Sequence, residues 1–217
     1  MKKAIKIALI ILLAASMLFV LTGCGEEKVE KNSVTNDQTA EEQKAEISMG
    51  EWKNNTYENE FLGIKFNLPE GWVYSSDKEI AQMMNIGTEL LNDDQKATAE
   101  LAKLTSVTYV VANNPNTGSN VTIMSEKPVM EVTTEYYINQ LKTQLAAVES
   151  INYEIGNISK ETVAGREYDT LTVTANVSGI ELTQKYFVYK MDEYFVCLLI
   201  TTTNGDTDIN NIVKSFK

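Results

Sequence analysis

The chain has 217 residues, with 19 Lys and Arg against 30 Asp and Glu and a formal charge of -11, a balance that disfavours nucleic acid and anionic lipid surfaces as partners. Histidine is absent, which excludes Ser-His-Asp and Cys-His catalysis and every His-ligated metal centre. Acid-pair hydrolysis, a serine-lysine acyl enzyme and an all-oxygen calcium site are the chemistries left open.

The chain starts with Lys2, Lys3 and Lys6, followed by an uncharged apolar run over residues 7–21. A bilayer crossing takes about 20 apolar residues, so this run reads as a secretory signal before it reads as an uncleaved single-pass anchor. It closes on Leu21-Thr22-Gly23-Cys24, which resembles the lipobox of bacterial lipoproteins. The resemblance implies a signal peptide over residues 1–23, cleavage ahead of Cys24, and a diacylglyceryl group (palmitate or similar chains) on the Cys24 thiol. The mature protein would then sit on the outer, extracytoplasmic face of the cell membrane. Acylation of the new amino group would add a second chain, and two chains hold firmly where one is marginal.

Residues 24–217 are enough for one domain with a proper core. Loss of Lys2, Lys3 and Lys6 takes the charge from -11 to -14, so attachment would rest on lipid and not on basic patches. With Cys24 capped, Cys197 alone remains and no internal disulfide can form. Cys197 lies in Tyr194-Phe195-Val196-Cys197-Leu198-Leu199-Ile200, and among such neighbours it reads as a small buried hydrophobe, without the polarising partner a nucleophile needs.

Residues 25–50 are polar and acidic, with no aromatic residue, and such composition buries too little surface to offset chain entropy. They read as a flexible tether whose ends lie roughly 25 to 30 Å apart on average. The folded part, residues 51–217, opens with Trp52. Ile64, Phe66 and Leu68 then alternate with Lys65 and Asn67, the period of a half-buried strand. Pro69-Glu70-Gly71 supplies a turn before Trp72 and Val73.

Ser76 and Glu79 have capping-box spacing and predict a helix from about Asp77, with Met83, Met84, Ile86, Leu90 and Leu91 as its apolar stripe. Asn92-Asp93-Asp94 interrupts it, and a further helical piece is expected over 97–104. Strands 106–113 and 120–127 form a hairpin around Asn-Pro-Asn-Thr-Gly-Ser. A second amphipathic helix is expected over 134–148, with Tyr137, Leu141, Leu145 and Val148 on one face. The period then changes to two. Strands near 152–162, 166–177, 180–190 and 194–203, joined by short links, predict an antiparallel meander. The last strand, apolar on both faces, should be central with helices covering both sides. A final helix over 207–216 is expected to be capped by Asp206. The fold class is α+β: an antiparallel sheet with helices on its faces, an α/β/α-type sandwich.

The opening segment, with Asn59, Gly63-Ile64 and Leu68-Pro69-Glu70-Gly71-Trp72, resembles the first hairpin of the PsbP-like family, related in fold to the Mog proteins. The element order extends the resemblance over most of residues 52–217. It implies the fold and a tendency towards protein partners. Members are mostly binding or assembly factors, and the family offers no shared catalytic set.

Local patterns have structural readings beside the functional ones. Ser75-Ser76-Asp77-Lys78 matches the S-x-x-K of penicillin-interacting enzymes and Ser150-Ile151-Asn152 mimics their S-x-N element, but no Lys-Thr-Gly follows and a helix cap accounts for Ser76. Asp206-Thr207-Asp208-Ile209-Asn210 imitates a calcium loop, with Asn211 where glycine and Lys217 where glutamate belong. Tyr136, Tyr137, Tyr153, Tyr168, Tyr186, Tyr189 and Tyr194 suit a ligand groove or a core, and Met83-Met84 suits an adaptable surface or a core. The expectation is a noncatalytic envelope lipoprotein that binds a protein partner, with Cys24 as its lipidation site and no catalytic, cofactor or metal residue. The alternative is a small-ligand binder with a pocket between the sheet and segment 83–104. A hydrolase using carboxylates alone is a third reading, for which no pair is nominated.

Overall fold

The computed structural model describes residues 48–89, 105–148, 151–177 and 179–217, with the backbone alone at 84–89. Cys24, the signal segment, most of the expected tether, the Asn92-Asp93-Asp94 break, the helical piece over 97–104 and Ser150 lie outside the described residues.

Strands β1 (Glu51–Lys53), β2 (Thr56–Asn59) and β3 (Ile64–Asn67) form a small antiparallel sheet. Strands β4 (Val73–Tyr74), β5 (Ser106–Asn113), β6 (Asn120–Glu126), β7 (Tyr153–Val163), β8 (Arg166–Val177), β9 (Ile180–Met191) and β10 (Tyr194–Thr202) form a second sheet in the order β4-β5-β6-β10-β9-β8-β7. Three helices, α1 (Asp77–Glu89), α2 (Thr134–Ala146) and α3 (Asp206–Val213), complete the described elements. The result is an α+β fold dominated by antiparallel sheet. No helix among the described residues is long and apolar enough to cross a membrane.

The meander expected from the period of two is present, with β7, β8, β9 and β10 paired in succession. Strand β10 lies between β6 and β9, the central position its apolar faces predict. Alternation along β10 divides the core in two. Phe195, Cys197 and Leu199 pack with Met124, Leu171, Tyr186 and the α2 residues Tyr137, Ile138, Leu141 and Leu145. Val196, Leu198 and Ile200 pack with Tyr57, Leu62, Ile64 and Phe66 of the small sheet and with Ile209, Ile212 and Phe216. One face of the large sheet is thus covered by α2. The other is covered by the small sheet together with α3, where a helical layer alone was expected.

The small sheet stays separate because the chain's last residues take up the free edge of β3. Asn67 N–H donates to Ser215 O (2.9 Å) and Lys217 N–H to Lys65 O (2.9 Å), and Phe66 and Phe216 bring their rings to 4.9 Å. Its far end is tied to the large sheet by one charged side chain. Arg166 Nη1 donates to Leu62 O (3.0 Å), its guanidinium lies 4.2 Å from the Tyr189 ring centre, and the Tyr189 hydroxyl donates to the same Leu62 O. Residues 48–50 also run against this sheet: Asn59 Nδ2 donates to Ser48 O (2.9 Å) and the Tyr57 hydroxyl to Met49 O (2.7 Å).

The capping box at α1 is formed as its spacing predicts. Ser76 N–H and hydroxyl both donate to Glu79 Oε2 (2.8 and 2.7 Å), and Glu79 N–H reaches back to Ser76 Oγ (3.4 Å). Helix α2 is capped by Thr133, whose hydroxyl oxygen accepts from Tyr136 N–H (3.2 Å). The expected cap of α3 is corrected. The N-cap is Gly205, at φ 65° and with no side-chain cap bond, and Asp206 is the first helical residue. The acid that ties this helix start to the sheet is Asp208, whose carboxylate accepts from Ser119 Oγ (2.8 Å), Thr202 Oγ1 (2.8 Å) and Asn204 Nδ2 (3.4 Å).

Candidate functional site

The residues that suggested chemistry in the sequence are occupied by structure. Ser76 caps α1, as above, and Lys78 is exposed on the same helix. Asp206 to Asn210 lie in α3 and not in an ion-binding loop, and no group of three or more acids, cysteines or histidines that could hold a metal occurs among the described residues. Cys197 is buried beneath α2, where burial and the nearby Glu126 carboxyl push its thiol well above the ordinary range. A thiol kept protonated in this way is inert as a nucleophile.

The tyrosines do not converge on a groove. Tyr137 and Tyr186 are in the core beneath α2, Tyr168 and Tyr189 are in the core on the opposite face with rings 5.2 Å apart, and Tyr136 faces solvent. Met83 is half-buried.

A feature that sequence periodicity does not reveal is the link between β6 and α2. Strand β6 ends at Glu126, and Pro128, which has no N–H to continue a ladder, follows Lys127. The link runs to Thr133, and the side chains at its tip are turned outward: Val129 is 75% exposed and Met130 52%. With the β9–β10 turn it lines an open groove of about 470 Å³, formed by Lys127 to Glu131, Lys190, Asp192 and Glu193.

The charges of this groove are largely matched. Lys127 Nζ lies 2.7 Å from Glu193 and Lys190 Nζ 3.4 Å from Glu131, while Lys190 also donates to Val132 O (3.3 Å). The hydrogen bond that Lys127 donates to Glu193 raises the Lys127 pKa. Asp192 holds the adjoining turn at φ 51°. Paired lysines and carboxylates around two exposed apolar side chains make a contact surface with a polar rim. They do not make a nucleophile-and-base pair. The only sequence signal for this surface was three consecutive apolar residues, Pro128-Val129-Met130, without helical or strand period.

At the end of β6, just ahead of Lys127, Glu126 is a buried carboxyl. It accepts a hydrogen bond from the Tyr137 hydroxyl (2.9 Å), and burial pushes its pKa up to about 8 against the smaller opposing effect of that bond. At 3% exposure it has no access to a substrate.

No protein-family model matches the chain, and no curated protein matches it. Solved structures do. The chain is similar to the cyanobacterial PsbP (CyanoP) of Synechocystis sp. PCC 6803, with 14% identity, a TM-score of 0.47, and 75% of this chain and 90% of that one covered. It is similar to LpqN of Mycobacterium tuberculosis, a protein involved in cell envelope biogenesis, with 13% identity, a TM-score of 0.40, and coverage of 70% and 79%. A third likeness, to PA94 of Pseudomonas aeruginosa, covers 42% of this chain and 65% of that one at 13% identity and a TM-score of 0.31.

Proposed function

We propose that this protein is a noncatalytic lipoprotein, held by Cys24 on the outer face of the bacterial cell membrane, whose PsbP-like domain binds a protein of the envelope. The anchor rests on the charged and apolar leader and on Leu21-Thr22-Gly23-Cys24. In this reading the tether runs from residue 24 to about 47, and the domain that meets the partner begins at Ser48, whose carbonyl Asn59 holds. The observation that carries the binding role is the outward display of Val129 and Met130 within a rim of matched charges. Large apolar side chains cost free energy when left in water, and a rim of this kind screens them until a partner covers them.

The test is site-specific photocrosslinking in intact cells. A crosslinker at position 129 or 130 is expected to capture one reproducible partner, and the same group at Lys160, on the far edge strand, is expected not to. Cys24→Ala should release the protein from the membrane fraction. Equal capture from both positions would refute the contact surface, and unchanged membrane retention of Cys24→Ala would refute the anchor.

A second reading, a small-ligand site on the sheet, is supported by Asn120 Oδ1 and Thr122 Oγ1, which are buried with no hydrogen-bond partner among the described residues. Both residues share a sheet face with Met124 and Leu199. Buried polar atoms are nearly always satisfied, and a polar molecule above β6 would satisfy these. A ligand bound there would raise the melting midpoint of the wild-type chain and not that of Thr122→Val.

A further inference from the structure

A second concave site lies where β3 of the small sheet meets the β7–β8 turn and residues 216–217. Its volume is about 210 Å³, and its walls are Gly63 to Lys65, Val163 to Arg166, Tyr168, Phe216 and Lys217. No Asp or Glu lines it, while three cations do, in a chain whose overall charge is -11. Lys65 is shared with Glu58, 2.6 Å away. Arg166 forms no ion pair among the described residues.

Arg166 is nonetheless held. The Tyr189 ring lies against one face of its guanidinium and Leu62 O takes a hydrogen bond from Nη1. Gly63, at φ +60°, leaves the space that Nη2 occupies: a Cβ there would come within 2.7 Å of it. A guanidinium carries five N–H donors in a planar fork; Leu62 O takes one, and the Tyr168 and Tyr189 hydroxyls lie within hydrogen-bonding reach of the same group. An immobilised fork loses little rotamer entropy when it takes a ligand.

We propose that this pocket binds a small monocarboxylate, with Arg166 receiving the carboxylate between Gly63 and the Ala164-Gly165 turn. The volume falls below the roughly 300 to 1,000 Å³ of sites for drug-sized molecules, which excludes nucleotides and sugar chains. One fixed guanidinium suits a single planar anion better than a dianion. Lys65 and Lys217 at the rim add attraction that salt screens.

The experiment uses the full chain in dodecyl maltoside, titrated with sodium benzoate, with benzamide as the neutral isostere and inorganic phosphate as the dianion, and followed by amide NMR. Benzoate is expected to give saturable shifts at Gly63 and Gly165, weakened about tenfold in Arg166→Lys, which keeps the charge and loses the fork. Because Arg166 also joins the two sheets, a second variant, Lys65→Gln with Lys217→Gln, leaves that joint intact. It should weaken benzoate binding at low salt and remove most of its salt dependence. Equal shifts with benzamide, saturable binding of phosphate alone, or benzoate binding unchanged in a folded Arg166→Lys or in the double lysine variant would each overturn the proposal. In that case Arg166 acts as a clamp alone.

Discussion

The Tyr137 hydroxyl donates a 2.9 Å hydrogen bond to Glu126 Oε2 inside the core that α2 closes, with the Tyr137 ring stacked 4.2 Å from that of Phe195. The bond does not offset the burial of the carboxyl, whose pKa rises from 4.5 to about 8. Below about pH 4.5 the group is protonated in both folded and unfolded chains and contributes nothing to pH dependence. Between 4.5 and 8 the unfolded chain gives up the proton and the folded chain keeps it, so stability falls as pH rises. Above 8 the penalty is complete, on the order of a few kcal/mol at about 1.4 kcal/mol per unit. Glu126→Gln keeps an acceptor for Tyr137 and removes the ionisation. Urea melts should show the variant gaining on wild type from pH 5 to pH 8. Parallel pH profiles would contradict the assignment.

Gly63 and Gly71 allow the Arg166 contact to be isolated. Both have positive φ, at +60° and +77°, but a Cβ on Gly63 meets Arg166 Nη2 at 2.7 Å whereas one on Gly71 meets nothing within 4 Å. Gly71→Ala should cost about 1 kcal/mol for the left-handed backbone alone. Gly63→Ala should cost roughly 1 to 2 kcal/mol more, because the clamp on Leu62 O must shift. Equal losses in denaturant titrations would mean that the guanidinium yields without cost.

The contrast between these contacts and the meander shows what a sequence discloses. Strands β7 to β10 were legible because alternation and short turns act within a few residues, and β10 declared its central place through apolar residues on both faces. The Ser76 and Glu79 cap was legible for the same reason. Of the small sheet only β3 was legible, through the alternation of Ile64 and Phe66; β1 and β2 are only three and four residues long and the ties that hold the sheet are distant: Arg166 reaches Leu62 across 104 positions. The cap of α3 was misread because Gly205, at φ 65°, takes the N-cap position and Asp206 already begins the helix, while the acid that ties this end to the sheet, Asp208, does so through Ser119, 89 positions away. The Val129–Met130 face was invisible because exposure of a nonperiodic loop depends on what the rest of the fold leaves uncovered.

Ala164 offers a stabilising change. Val163 pairs with Arg166 across the two-residue turn Ala164-Gly165, whose φ angles are 51° and 82°. Positive φ at both central positions is the type I′ geometry that favours Asn-Gly. Alanine carries a left-handed penalty that asparagine partly avoids, so Ala164→Asn should raise stability by about 0.5 to 1 kcal/mol. A rise in the urea midpoint with unchanged slope is the expected result. A fall would show that the turn depends on the small side chain.

The Asp208 carboxylate is the point where α3 meets the large sheet, since Ser119 precedes β6 and Thr202 ends β10, and both hydroxyls donate to the same oxygen at 2.8 Å. Hydrogen bonds to a charged acceptor are worth roughly 1.5 to 3 kcal/mol each. Removing the acceptor also leaves Ser119, 1% exposed, with fewer partners, although its 3.2 Å contact with Thr202 survives. Asp208→Ala should therefore cost about 2 to 4 kcal/mol, and Ser119→Ala about 1. The double variant should lose less than the sum, because both changes remove the same bond. Calcium at millimolar concentration should leave the wild-type midpoint unchanged, since Asp208 is engaged by hydroxyl donors within a helix. A calcium-dependent rise abolished by Asp208→Ala would restore the ion-binding reading of Asp206 to Asn210.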